Sequence, residues 1–183
     1  MAITINGSGT VSGITAGLTA ASMPAGSVIQ VVQGTYKDGL TNDTASEAWW
    51  DCTQLTASIT PTDNNNKILI RGMVNLAVAS PTQSIGIQIN RGGTAISDAL
   101  GTSTGSRTSV TTISEQTSAY TTSTINIEYL DSPATTNSTA YNFEFRHGSG
   151  SSRVIYLNKT INDTDEAEYM RSISTITLME IAV

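Results

Sequence analysis

Cysteine and histidine are nearly missing from this chain of 183 residues: Cys52 and His147 are the only ones. A single cysteine excludes an intrachain disulfide framework and a cysteine zinc cage. A single histidine excludes two-histidine metal motifs and leaves any serine triad one possible base. Charged residues make up 13% of the chain, about half the usual share, and only nine are Lys or Arg. So few scattered cations give no basic stripe for phosphates, which argues against nucleic-acid binding, and a net charge of −6 disfavours anionic lipid. No run approaches the ~18 apolar residues of a membrane span. The start lacks the basic and apolar regions of a signal peptide, so Met1 reads as a true start and the product as soluble. Aromatic residues are 5% of the chain.

What is abundant is hydroxyl. Ser and Thr outnumber all charged residues about two to one, so the surface is built of hydroxyls and amides. β-Branched residues supply enough apolar surface to order a single domain.

Period-two alternation recurs from Ser27 onward and places successive side chains on opposite faces of strands. In Lys67–Val78, Ile68, Ile70, Val74, Leu76 and Val78 share one face, with Arg71 and Asn75 on the other. Gly72 marks a bend or close contact. Ile85, Ile87 and Ile89 alternate with Gly86, Gln88 and Asn90. Arg91-Gly92-Gly93 then predicts a tight reversal into a return strand at Thr94 to Ile96. Ile125, Ile127 and Tyr129 form one alternating set; Tyr141, Phe143 and Phe145 form another. The turn formers between them, around Pro133, predict that these two segments pair as antiparallel neighbours. Shorter strands are expected at Val28–Tyr36, Leu55–Thr60, Ser109–Ile113 and Arg153–Leu157, with a polar turn at Pro61–Asn66. About nine strands without helical crossovers predict an all-β antiparallel sandwich of the jelly-roll kind over residues 27–183.

Two segments depart from the pattern. Ser172–Val183 carries Ile176 and Leu178 on one face and Met179, Ile181 and Val183 on the other, so both faces want to leave water. A central strand would explain this, and so would a strand facing a subunit interface; the thin aromatic core favours the interface. Residues 1–26 read as an arm or neck, with a two-turn helix expected at Ala16–Met23. Three such segments meeting on an axis would cover Ile14 and Leu18 and form a neck; a flexible leader is the alternative.

The candidates for chemistry are few. Asp163, Asp165 and Glu166 concentrate carboxylates suited to a hard cation, but the glycine and glutamate of a calcium loop are missing, and a solvated hairpin tip is the simpler reading. Asp38 and Asp43 beside Gly39 are read the same way. Glu47, Asp51 and Glu128 would have to converge to cleave a sugar, and no catalytic site or cofactor is expected. His147 reads as a solvated strand-end residue. Trp49-Trp50 offers a ligand surface for sugars, or a packing anchor. Asn42, Asn137, Asn158 and Asn162 head sequons that so much Ser and Thr would create by chance.

Several phrases carry a resemblance: Thr4 to Ile14, Pro24 to Gln33, Ile59 to Thr62 before Lys67 to Ile70, Tyr129 to Thr136, Asn162 to Thr164, and Ile176 to Ile181. In that order the chain resembles short structural proteins and tail-fibre tips of phages that infect cyanobacteria and other aquatic bacteria. The resemblance implies a non-catalytic homotrimer of the virion, made in the host cytoplasm. It would either bind a host receptor such as surface polysaccharide or decorate the capsid by gripping shell proteins through its arm. The chain differs from a full tail fibre in having no long repetitive shaft.

Overall fold

The computed structural model describes residues 4–5, 11–12, 23–79, 83–116 and 118–183. Within the arm, two-residue strands β1 (Thr4–Ile5) and β2 (Val11–Ser12) pair antiparallel. The helix expected at Ala16–Met23 lies, but for its last residue, outside the described residues, and so do Ile14 and Leu18.

The sandwich is built from β3 (Val28–Tyr36), β4 (Leu40–Thr44), β5 (Trp50–Ile59), β6 (Lys67–Val78), β7 (Gln83–Arg91), β8 (Thr94–Ala95), β9 (Thr112–Gln116), β10 (Ser123–Asp131), β11 (Thr139–His147), β12 (Arg153–Leu157) and β13 (Ser174–Ile181). Their pairing is antiparallel throughout. One sheet runs β3-β13-β6-β10 and the other β5-β11-β7-β9, with β8 a short extension beside β7. Among these eight main strands, first neighbours last and the chain changes sheet at every step except from β7 to β9, which is the double Greek key of a jelly roll.

Alternation fills the space between the sheets. Ile68, Ile70, Val74 and Leu76 of β6 and Ile125 and Ile127 of β10 face Ile85, Ile87 and Ile89 of β7 and Tyr141, Phe143 and Phe145 of β11, almost all fully buried. Burying one such side chain contributes roughly 1.5–3 kcal/mol. Gly72 lies where the sheets approach closely: a Cβ there would stand 2.6 Å from the Phe143 ring. The reversal after β7 is the two-residue turn Gly92-Gly93, both at positive φ (58° and 82°), which only glycine adopts freely.

β10 and β11 are not partners, contrary to the expectation from their consecutive patterns. β10 pairs with β6 in the first sheet, and β11 with β5 and β7 in the second. The segment after Asp131, with Pro133 and with Ala134 at φ 51°, carries the chain from one sheet to the other rather than closing a hairpin. At this crossing Arg91 Nη1 donates to both oxygens of Asp131 (2.8 and 2.9 Å), and the Tyr141 hydroxyl donates to Oδ2 (2.7 Å). Burial and the adjacent carboxylate hold the Tyr141 proton on far above the ordinary range. The group ties the sheets together at one end.

The sequence pattern predicts β12 but not its partner β4. β12 pairs with β6 at Leu76 to Val78, on the side β13 occupies from Lys67 to Met73, so β12 and β13 form one line along β6. β4 continues β3 beside them. These two lines break at the same level, and residues 158–173 leave the sheet there.

Candidate interaction surfaces

β13 is both a central strand and one with an apolar outer side. Ser174, Ile176, Leu178, Glu180 and Ala182 face inward, while Thr175, Thr177, Met179, Ile181 and Val183 face outward. The register places Val31, Met179, Leu69 and Leu130 in a single row across β3, β13, β6 and β10. Val31 is 57% exposed and Leu130 44%, with Met179 and Leu69 half-buried between them. Beside this row lie Val28, Ile181 and the exposed Val183. On the other side the row gives way to Gln33, Thr177, Arg71 and Glu128, where Arg71 pairs with Glu128 at 3.0 Å. Contiguous apolar patches of this kind are uncommon on monomer surfaces. The row is partly legible in the sequence: Leu69 within Ile68-Leu69-Ile70 and Leu130 after Tyr129 each interrupt strict alternation.

The chain leading in from the arm reaches this end of the sheet. Gly26 N–H donates to Ala182 O (2.8 Å), and Ala182 N–H donates to Ser27 O (2.9 Å).

The other half of this outer face is covered. Residues 158–173 lie over it, which is why Asn75 and Ala77, outward-facing on β6, are buried. Asn158 closes the neck of the excursion at φ 62° with no exposed surface. Its Nδ2 donates to Tyr36 O (2.8 Å), its Oδ1 accepts from Ser174 Oγ (2.6 Å), and its N–H donates to Asn75 O (2.9 Å). Asn75 Nδ2 donates to Ile173 O (2.6 Å) and Asn75 Oδ1 accepts from Thr124 Oγ1 (2.6 Å). Among the sequons at Asn42, Asn137, Asn158 and Asn162, the one at Asn158 is thus sealed inside.

The acidic candidates lie in this excursion. Asp163 accepts two bonds from Arg171 (2.8 and 2.7 Å) and one from Lys159 (3.3 Å). Burial tends to raise its pKa, but these cations hold it below the ordinary value. Asp165 and Glu166 are exposed at the tip, and the described residues bring together no group of three or more potential metal ligands. Asp163 is thus held in an ion-paired clasp, with Asp165 and Glu166 beyond it on the exposed tip. Beside it, exposed Tyr120 stacks on Tyr169, centroids 6.0 Å apart.

Trp49 and Trp50 do not form a joint ligand surface. Trp50 begins β5 on the core side, 7% exposed, and meets Phe145 edge-on at 5.4 Å. Trp49 alone is half-exposed. Glu47, Asp51 and Glu128 do not converge either: Glu128 is on the first sheet with Arg71, while Asp51 accepts a hydrogen bond from Asn142 on the second.

His147 corrects the expectation of a solvated residue, being 1% exposed. It continues the inward set Tyr141, Phe143, Phe145 by one more step of two. Its Nε2 lies 2.9 Å from Thr44 O and its Nδ1 accepts from Ser149 N–H (3.2 Å), which fixes the Nε2–H tautomer.

Sequence reasoning misses Glu180. It sits on the core face of β13 with no exposed surface, and among the described residues no cation pairs with it. Oε1 accepts from Thr62 N–H, Thr62 Oγ1 and Asn66 Nδ2 (2.7 Å each), and Oε2 accepts from Gln30 Nε2 (2.5 Å). Burial tends to raise its pKa, but these four donors more than offset that and hold it below the ordinary 4.5.

No family model matches the sequence, and no curated protein matches it. Solved structures with a similar arrangement include the infectious bursal disease virus Gx strain (14% identity, TM-score 0.44, 84% of this chain and 37% of that one). The VP2 subviral particle of infectious bursal disease virus is similar at 11% identity and TM-score 0.44, over 86% of this chain and 39% of that one. Dimeric latent PorU from Porphyromonas gingivalis matches at 7% and 0.30, over 87% and 14%. The chain spans less than two-fifths of the length of these viral chains. Likeness this distant says nothing of activity, partners or assembly.

Proposed function

We propose that the protein is a structural component of a phage particle's surface, a homotrimer of jelly-roll sandwiches serving as a tail-fibre tip or receptor-binding head. The observation that carries this reading is the uncovered apolar row Val31, Met179, Leu69 and Leu130, continued by Val28, Ile181 and Val183. A second copy laid on this face would remove it from water, and the 158–173 excursion beside it would stay outside the contact. The resemblance of its sequence phrases to those of phage tail proteins supports the setting. Jelly rolls occur in both viral coats and lectins, so the fold by itself selects neither role.

Sedimentation equilibrium of the purified chain tests it. The expected mass is that of three copies, and Met179→Asp or Ile181→Asp lowers it. Val31→Asp, on an edge strand and well exposed, does the same without touching the core. A wild-type mass of one copy refutes the reading.

The second reading is a capsid decoration protein that grips neighbouring shell subunits through residues 1–26. It is favoured by the entry of the arm beside the apolar end of the face. Cryo-electron microscopy of the particle, with this chain traced at the capsid or at the tail, separates the two.

A further inference from the structure

The outer face of the second sheet, on the far side of the sandwich, holds a groove. Arg146, Gly86 and Ile113 stand in one row across β11, β7 and β9. They face away from the core, because their neighbours Phe145, Ile85 and Ile87 are buried. Gly86 puts no side chain between the guanidinium and the isoleucine. Val110 comes down over it instead, so that a Cβ at position 86 would lie 2.7 Å from Val110 Cγ1. Ser84, Thr108 and Ser149 line the same cleft of about 310 Å³, with Glu47 at its edge. The cleft runs on past Ser84 and Ile113 toward Ser114 and Glu115.

The chemistry of this lining is specific. Arg146 Nη1 donates to the Glu47 carbonyl (2.7 Å), and no carboxylate pairs with Arg146 among the described residues. A guanidinium has five N–H donors, so most of its capacity faces the groove. Ile113 is 64% exposed, an apolar floor ringed by hydroxyls that both donate and accept.

We infer that this groove binds a carboxylate-bearing saccharide. The sugar carboxylate lies on Arg146 as a charge-assisted, fork-shaped contact. The apolar face of a ring rests on Ile113 and Val110, and ring hydroxyls meet Ser84, Thr108, Ser149 and the Glu47 carboxylate. An acidic peptide fits less well. Extended peptides bind sheets by adding to a free edge, whereas Arg146 and Gly86 lie on β11 and β7, each with a strand on either side, and only Ile113 lies on the edge strand β9. The biological setting of this inference rests on the receptor-binding reading, but the groove lies within one chain and is independent of trimer formation.

Isothermal titration calorimetry on the purified full chain tests it, with oligogalacturonate as the probe and dextran and poly-glutamate as comparators. Oligogalacturonate is expected to bind saturably, dextran more weakly, and poly-glutamate not at all. Arg146→Gln is expected to weaken oligogalacturonate about tenfold or more, and Ile113→Ser to weaken it as well. Circular dichroism confirms that each variant is folded. The inference is overturned if oligogalacturonate does not bind the folded wild type, if poly-glutamate binds equally well, or if both variants bind as the wild type does. None of these results alters the sedimentation test of the trimer.

Discussion

Replacing Glu180 by glutamine removes one charge while changing almost no volume, and the hydrogen bonds around the carboxylate set the cost. Oε1 holds three donors and Oε2 holds one. Glutamine can keep its oxygen toward Thr62 and Asn66, but its amide then faces Gln30 Nε2 donor to donor. One charge-assisted bond is lost, and three others fall to neutral strength. At about 1.5–3 kcal/mol for a bond to a charge against about 1 for a neutral one, the loss is partly offset by no longer burying a charge. The net expectation is a destabilisation of about 2–4 kcal/mol at pH 7, read by urea denaturation. The pH dependence is the sharper test. Because the folded pKa is depressed, the stabilisation is present above the unfolded value near 4.5 and is lost as pH falls through the folded value. The gap between wild type and Glu180→Gln should therefore be constant from pH 7 to about 5 and close on further acidification. A gap under about 0.5 kcal/mol, or one unchanged down to pH 3, refutes the reasoning.

Ile87→Asp places an unpaired charge in a fully buried site between the sheets, costing several kcal/mol; circular dichroism should show loss of cooperative unfolding at neutral pH. Burial pushes the Cys52 thiol up to about 11, so Ellman's reagent should leave it unmodified at pH 8 in native protein and label it in denaturant. Deleting residues 1–23 should leave the melting temperature of the sandwich unchanged and, on the decoration reading, abolish incorporation into particles; normal incorporation would remove the arm's role.

The sandwich is legible in the sequence because each strand with one buried face announces itself by alternation, as Ile85, Ile87 and Ile89 do. Pairing is less legible. The patterns of β10 and β11 look alike whether the strands are neighbours or lie in opposite sheets, since alternation records which side is buried and not what lies beside it. Two polar residues on the inward faces, His147 and Glu180, escape for a related reason. Residue type suggests solvent, while their positions in the inward sets of β11 and β13 place them inside, satisfied by partners distant in sequence. Glu180 meets Thr62 across 118 residues. Met179, Ile181 and Val183 stand out because they break the pattern. Nothing in the sequence sets Arg146 opposite Ile113 across a bare glycine.

The seal at Asn158 also separates two kinds of change. Asn75, Asn158, Ser174 and the Tyr36 carbonyl close the neck with bonds that do not involve the exposed tip at Thr164 to Glu168. The tip can therefore lengthen, shorten or exchange its residues while the strands beneath keep their register. It is the natural place to insert a foreign epitope, and the first segment in which diverging lineages would be expected to differ.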